Sequence, residues 1–148
     1  MKIRDLSSKA AMVLLASVLL LNVFCGPGAE PQASAVQGTA AKGAVLVTDE
    51  IKLDFSKHKI TFIELGSVNC IPCREMQPIM KDIAERFPDQ VLVVFYDVWK
   101  NPAPAQHYRI QLIPTQVFLD ERGNELFRHV GVFAKEDILN FLKGHGVR

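Results

Sequence analysis

The sequence has little cysteine: only Cys25, Cys70 and Cys73 occur among its 148 residues. This scarcity excludes a small scaffold that is held together by several disulfide bonds. A structural zinc site needs four ligands, but there is no second close pair of cysteines and no closely spaced pair of histidines. The four histidines are scattered singly, at His58, His107, His129 and His145. We therefore expect the chemistry at the one close pair, Cys70 and Cys73.

An excess of charge of one sign is also missing. The 17 basic and 16 acidic residues give a formal net charge of +1. The first 35 residues hold three of the basic and two of the acidic residues, so the remainder is formally neutral. Proteins that bind nucleic acid usually present a basic surface, because phosphate contacts dominate their affinity. We therefore expect no nucleic-acid partner.

No apolar run is long enough to cross a bilayer comfortably, which takes about 20 residues. The longest run covers residues 10–24 and follows a segment with three basic residues, Lys2, Arg4 and Lys9. A basic segment followed by a short apolar run is typical of a secretory signal. We therefore predict that residues 1–24 are a signal peptide or a membrane anchor segment.

Residues 25–43 are rich in Gly, Ala, Pro, Ser and Gln, which predicts a flexible linker. Three fates of the N-terminus stay open: cleavage after Ala35, cleavage with lipidation at Cys25, and retention as an uncleaved anchor. Each of them places the domain that we predict at residues 44–148 outside the cytoplasm, in the periplasm or its equivalent.

Within residues 44–148, β-rich runs at 60–65 and 91–96 predict buried strands. The predicted order is β-α-β-α-β-α-β-β-α, with strands at 44–47, 60–65, 91–96, 116–119 and 125–130 and helices at 51–57 (after the cap-like residues 48–50), 70–87, 102–108 and 135–143. Helical crossovers require parallel pairing first, whereas the last two strands form an antiparallel hairpin. We therefore predict an α/β fold with a mixed central sheet and helices on both faces. Tyr96 and Trp99, at the end of the third strand, are expected to pack, with a substrate-facing position as the alternative.

The most specific motif is Cys70-Ile71-Pro72-Cys73, which follows a predicted strand and opens the predicted helix at 70–87. Cysteines three residues apart at a helix start lie on the same side of its first turn. The free N–H groups and positive dipole end there stabilise a thiolate, the attacking species in disulfide exchange. We expect Cys70, nearer the exposed end, to be the nucleophile and Cys73 to resolve the mixed disulfide. A metal-binding pair and an inert structural bridge are the alternatives.

Further features around this motif match a known pattern: a proline in the helix, an acid in the preceding strand, an Asn-Pro dipeptide, an Ile-Pro-Thr loop and a glycine after the last strand. They are Pro78, Glu64, 101–102, 113–115 and Gly131. With them, residues 44–148 resemble the thioredoxin family. The resemblance implies the thioredoxin fold and thiol–disulfide exchange, with the Cys70–Cys73 disulfide as the redox centre and no separate cofactor.

The resemblance also implies roles for single residues. Glu64 stands where thioredoxins have a buried acid that assists proton transfer at the inner cysteine, and burial there would raise its pKa. The Ile113–Pro114 segment looks like the cis-proline loop that faces the disulfide. We therefore expect a cis bond there and a substrate groove that also includes Ile71 and Pro72. The backbone of Ile113 would pair with an extended substrate segment.

The sequence departs from the family pattern at four positions. Asn69 and Gly66 stand where tryptophans are common. Phe95 stands where a lysine often pairs with the buried acid, and Ile71 replaces a glycine between the cysteines. These changes alter the surroundings of the thiolate, on which redox potential and partner choice depend.

Together these features predict an oxidoreductase that reduces protein disulfides outside the cytoplasm through the Cys70–Cys73 dithiol. The alternatives are an extracytoplasmic disulfide oxidase or isomerase, a metal (copper)-handling module of the same fold, and a binding lipoprotein without exchange activity. We expect as partners substrate proteins with disulfides or thiols and a membrane electron donor. We also expect a monomer that touches the membrane only through its N-terminal segment.

Overall fold

A computed structural model describes residues 41–148 of the chain. In this part the strands are β1 (Leu46–Val47), β2 (Ile60–Gly66), β3 (Val91–Asp97), β4 (Thr115–Leu119) and β5 (Glu125–Val130), and the α-helices are α1 (Ile71–Arg86), α2 (Ala103–His107) and α3 (Lys135–Gly144). None of the helices within residues 41–148 is long and apolar enough to span a bilayer. The predicted signal or anchor segment, the cleavage site at Ala35 and the lipidation site at Cys25 lie outside the described residues.

The strands form one mixed sheet in the order β1-β3-β2-β4-β5. β3 is parallel to both β1 and β2, while β4 is antiparallel to both β2 and β5. The predicted mixed sheet is therefore confirmed. β2 lies at its centre, and all seven of its residues are buried. Burial on both faces explains why apolar residues occur on both faces of the strand, although Thr61 and Glu64 are buried as well.

Successive residues of the strands enter two different cores, because side chains alternate between the faces of a sheet. Phe62 belongs to the core that contains Met76 of α1 and Ile138 of α3. Ile63 belongs to the core on the opposite face, against which Ala105 of α2 packs. Helices therefore cover both faces of the sheet, as predicted.

Local sequence determines where α1 begins and ends. Cys70 is its N-cap: the backbone is extended there, and the sulfur accepts a hydrogen bond from the N–H of Cys73. The helix ends just before Phe87-Pro88, because proline disfavours the helical conformation of the residue that precedes it. Its buried side consists of Cys73, Met76, Met80, Ile83 and Ala84. This helical spacing turns the inner cysteine toward the sheet.

The helix predicted at 51–57, after the cap-like residues 48–50, is wrong. Only Phe55–Lys57 forms a helical turn, and it is a single 3-10 turn. Ile51, Leu53 and Phe55 alternate with polar residues, and this period of two favours an extended chain over an α-helix. Leu53 and Phe55 pack against the core on the α2 side of the sheet.

Several hydrogen bonds hold this segment in place, among them one to the side chain of Asp54 and one from that of Tyr96. The carboxylate of Asp54 accepts the N–H of Ser56 at 3.1 Å and caps the turn. The hydroxyl of Tyr96 donates to the carbonyl of Glu50 at 2.6 Å, which ties the extended chain to β3. These contacts satisfy backbone groups that a helix would otherwise have bonded internally.

Candidate active site

Three strands bring their ends to one edge of the sheet beside the start of α1. Gly66 ends β2 and pairs with Asp97, the last residue of β3, because parallel strands carry their carboxyl ends to the same edge. Thr115, the first residue of β4, pairs with Leu65 of β2. The cysteine motif and the loop before β4 therefore meet at this edge.

Cys70 and Cys73 are joined by a disulfide bond, with sulfur atoms 2.18 Å apart and Cα atoms 5.2 Å apart. Cys70 keeps 7% of its surface accessible, whereas Cys73 is fully buried. Of the two cysteines, Cys70 is therefore the one that keeps contact with solvent. The N–H of Cys73, 3.3 Å from the Cys70 sulfur, and the positive end of α1 would stabilise a thiolate on Cys70.

Glu64 is a fully buried carboxyl on β2, between Phe95 of β3 and Gln116 of β4. Its Oε2 accepts a hydrogen bond from Nε2 of Gln116 at 2.9 Å, while its Oε1 has no hydrogen-bond partner among the described residues. Burial raises the pKa of Glu64 to about 8, because leaving water penalises the charged form, and the Gln116 hydrogen bond opposes this shift. The carboxyl can therefore exchange a proton near neutral pH.

Gly66 borders both the carboxyl of Glu64 and the inner cysteine. A Cβ atom at this position would lie 3.1 Å from Oε1 of Glu64 and 3.3 Å from the sulfur of Cys73. Both groups therefore line the same small space, which we call the Gly66 gap. The acid and the thiol for which the resemblance implies a proton transfer both border it.

The loop before β4 has the predicted conformation: the Ile113–Pro114 peptide bond is cis. Pro114 is buried, and its carbonyl accepts the N–H of Gly131 at 2.8 Å. The hydroxyl of Thr115 donates to the carbonyl of Leu112 at 2.7 Å. Ile113 is half-buried, and its backbone makes no hydrogen bond within residues 41–148. Its N–H and carbonyl are therefore free to pair with another chain.

Several large apolar side chains at this edge are exposed, and we call four of them the apolar rim. They are Val68, Ile71, Trp99 and Leu112. They come from the turn after β2, the first turn of α1, the turn after β3 and the loop before β4. Asp97 joins two of these turns, because its carboxylate accepts the N–H of Val68 at 3.4 Å and that of Trp99 at 3.2 Å.

The prediction that Trp99 packs is wrong, whereas Tyr96 is fully buried as predicted. Trp99 keeps 61% of its surface accessible, because it lies beyond the end of β3 in a polar turn with Lys100 and Asn101. A tryptophan among polar turn residues was the signal that could have indicated exposure.

The residues predicted to bind substrate lie together at this edge. Ile71 and Pro72 are exposed on the first turn of α1. Ile113 and Pro114 come from the loop that precedes β4. The fold thus brings together segments that are about forty residues apart in the sequence, and their role in binding stays a prediction.

Gln116 was missed by the sequence analysis. It is fully buried in β4, and its amide is the group that contacts Glu64. Phe95 stands where the family often has a lysine. It is also buried, and it lies beside Glu64 on the neighbouring strand β3. The signal was a lone amide within the apolar strand TQVFL, since a buried amide requires a partner.

Within residues 41–148, no cluster of three or more His, Cys, Asp or Glu side chains is arranged to hold a metal ion.

Comparison with known proteins gives a consistent answer. The Thioredoxin family model matches residues 43–144. The chain is 34% identical over 102 residues to thioredoxin from Chlamydia pneumoniae, covering 64% of this chain and 98% of the relative. It is 34% identical over 100 residues to thioredoxin H5 from Arabidopsis thaliana, covering 66% of this chain and 80% of the relative.

Among solved structures, the fold is similar to that of a mutant thioredoxin from Halobacterium salinarum. The two superpose with a TM-score of 0.63 at 23% sequence identity, covering 73% of this chain and 96% of the other. At that identity the likeness supports the fold.

Proposed function

The chain belongs to the thioredoxin family of thiol–disulfide oxidoreductases, and from this premise we propose that it reduces protein disulfides outside the cytoplasm. The observation that carries the proposal is the unequal exposure of the two cysteines: Cys70 is accessible at the start of α1, whereas Cys73 is fully buried. This difference suits an exchange in two steps, in which the more exposed Cys70 attacks the substrate and the buried Cys73 then attacks Cys70.

In the first step, the Cys70 thiolate attacks one sulfur of a substrate disulfide, and the other substrate sulfur leaves as a thiolate. In the second step, Cys73 loses its proton and attacks the sulfur of Cys70, which releases the remaining substrate sulfur as a thiolate. The substrate gains two electrons and the Cys70–Cys73 disulfide forms. A dithiol donor in the membrane then reduces this disulfide by the same exchange: it gives up two electrons, and its own two thiols become a disulfide.

Glu64 is the base in the second step. In its ionised form it takes the proton of Cys73 across the Gly66 gap, which both groups border. The pKa of Glu64, raised by burial to about 8, lies close to that of an ordinary thiol, so the transfer costs little free energy.

The substrate docks as an extended segment along the loop before β4. The unpaired backbone of Ile113 offers a donor and an acceptor to such a segment, next to Pro114. Ile71 and Pro72 contact the substrate from the first turn of α1, where both are exposed.

The N-terminus supports the proposed location, because residues 1–24 have the layout of a signal or anchor. Mass spectrometry of the chain from a fractionated bacterial host tests it. A mature chain that begins after Ala35, or one acylated at Cys25, supports the proposal, whereas an unprocessed chain in the cytosol contradicts it.

The direction of exchange is tested by the reduction potential of the full-length chain. The protein is equilibrated in dithiol buffers of known potential, alkylated, and analysed for the oxidised Cys70–Cys73 peptide by mass spectrometry. We expect a potential near about −270 mV or lower, as for a reductant. A potential near about −120 mV would identify an oxidase instead, and the absence of a reversible disulfide would rule out exchange.

A further inference from the structure

The buried carboxyl of Glu64 is held on one side only. Its Oε2 accepts the Gln116 amide at 2.9 Å, and its Oε1 borders the Gly66 gap together with the sulfur of Cys73. Among the described residues, Oε1 has no hydrogen-bond partner. Rotation of the carboxyl group would break the hydrogen bond from Gln116 to Oε2. This bond therefore also fixes the direction in which Oε1 points.

The two strands beside Glu64 differ in what they offer it. Phe95, its neighbour on β3, has an apolar side chain that cannot hold a carboxyl. On β4 the neighbour is Gln116, so the amide is the polar group that the sheet offers to the acid. The side chain of Cys73 approaches from α1 and is the titratable group that shares the Gly66 gap.

Other titratable groups at this edge are engaged elsewhere. His129 of β5 pairs with Gln116 in the sheet, but its ring stacks on Phe133 with centroids 4.3 Å apart. The carboxylate of Asp97 accepts backbone N–H groups of the turns that follow β2 and β3. Neither group therefore replaces Gln116 as the partner of Glu64.

We propose that Gln116 is a positioning residue for disulfide exchange: it holds Oε2 of Glu64 so that Oε1 faces Cys73 across the Gly66 gap. Gln116 acts through Glu64 and touches no reacting sulfur. The proposal rests on the proposed function, in which Cys73 gives its proton to Glu64 before it attacks the mixed disulfide. Because the amide donates to the carboxylate, it also favours the ionised form that accepts this proton.

The test replaces the amide with an apolar side chain of similar length, Gln116→Met. In the oxidised full-length protein, NMR of labelled glutamate carboxyl carbons follows the titration of Glu64. We expect its midpoint to rise by about one pH unit, because a hydrogen bond to the charged form is lost.

In a single turnover with oxidised glutathione, acid quenching and mass spectrometry follow the mixed disulfide. Its formation by Cys70 should be unchanged, and its decay at pH 7 should be about tenfold slower.

Thr61→Val is the matched control. Thr61 is also fully buried in the sheet and its hydroxyl has no hydrogen-bond partner among the described residues, but it lies on the opposite face of β2 from Glu64. We expect this variant to leave both the Glu64 midpoint and the decay rate unchanged. If Thr61→Val shifts them equally, the effect is a general loosening of the sheet and the proposal fails.

Gln116→Asn provides a second variant if Gln116→Met does not fold, since it keeps the amide but shortens its reach by one methylene. An unchanged Glu64 midpoint or an unchanged decay rate in a folded Gln116 variant overturns the proposal. Failure of the proposed function is distinguishable, because the wild-type chain would then form no mixed disulfide while its Glu64 titration could still be measured.

Discussion

Among single residues, Gly66 matters to the site because it has no side chain to fill the space that Glu64 and Cys73 border. Gly66→Ala places a Cβ 3.1 Å from Oε1 of Glu64 and 3.3 Å from the sulfur of Cys73, both inside ordinary contact distance. We expect a loss of about 1–3 kcal/mol in the free energy of unfolding. We also expect slower decay of the mixed disulfide, because the gap through which the proton passes is filled. Urea denaturation and single-turnover kinetics measure the two effects.

Gly144→Ala is the control for this variant. A Cβ at Gly144, the last residue of α3, would meet no atom within 4 Å. We expect it to stabilise the protein by about 0.5–1 kcal/mol, since alanine is the better helix former, and to leave the kinetics unchanged. Equal effects of the two substitutions would show that the Gly66 gap has no special part in exchange.

Single residues differ in how well the sequence predicted them. Cys70, Cys73 and Glu64 stand at spacings that the resemblance could use, and the structure places them at one edge of the sheet. Gln116 could not be found in this way, because its partner is fixed by the register between β2 and β4. Trp99 was misjudged because its exposure depends on where β3 ends, which a strand pattern defines only to within a few residues.

At the scale of the element, the extended segment at 48–57 depends on its bond to β3. Tyr96→Phe removes the hydroxyl that donates to the carbonyl of Glu50 at 2.6 Å. We expect a loss of about 0.5–1.5 kcal/mol in stability. Amide hydrogen exchange should speed up in residues 48–57 and stay unchanged in α3, which serves as the internal control. Equal acceleration in both segments would contradict a local tether.

The elements themselves were predictable where one pattern dominates. The apolar runs of β2 and β3 and the helical spacing of α1 determine their type, and α1 starts and ends within one residue of the prediction. The helix prediction in this segment was wrong because the cap-like residues Thr48-Asp49-Glu50 suggested that a helix starts after them. The alternation of Ile51, Leu53 and Phe55 was the stronger signal, and it favoured extended chain.

At the scale of the whole molecule, burial of Glu64 makes stability depend on pH. The pKa of Glu64 is about 8 in the folded protein against an ordinary value of 4.5. Between these values the folded state keeps a proton that the unfolded chain has lost. The stabilisation is therefore complete below about pH 4.5 and is lost as the pH rises through about 8, a change of roughly 4–5 kcal/mol.

We expect Glu64→Gln to remove this dependence. Urea denaturation of the oxidised full-length chain at pH 5 and pH 9 measures it, with the wild type losing several kcal/mol more than the variant over this range. Glu121→Gln, at an exposed position in the β4–β5 turn, is the control and should behave like the wild type. Equal pH profiles of wild type and Glu64→Gln would contradict a raised pKa at this site.

The apolar rim on the surface of the molecule leads to a further prediction about the docking of substrate proteins. Trp99→Ala removes an exposed indole that a docking protein could cover, so we expect about a tenfold lower kcat/KM for reduction of a protein disulfide such as that of insulin. Reduction of oxidised glutathione, which is too small to cover the rim, should be unchanged. Leu126→Ala truncates an exposed leucine on β5 and should alter neither rate. A parallel loss on both substrates would place Trp99 in the chemistry rather than in docking.

The burial of Cys73 beneath Cys70 has a consequence for the time that the protein spends attached to a partner. Under the proposed mechanism, the thiol that ends each attachment is shielded from solvent, and it belongs to this chain rather than to its surroundings. The lifetime of an attached complex is therefore governed by the reactivity of Cys73 and by how readily the partner's sulfur leaves. It should be shorter for partners whose thiol has a lower pKa, and longer where a variant of this chain slows deprotonation of Cys73.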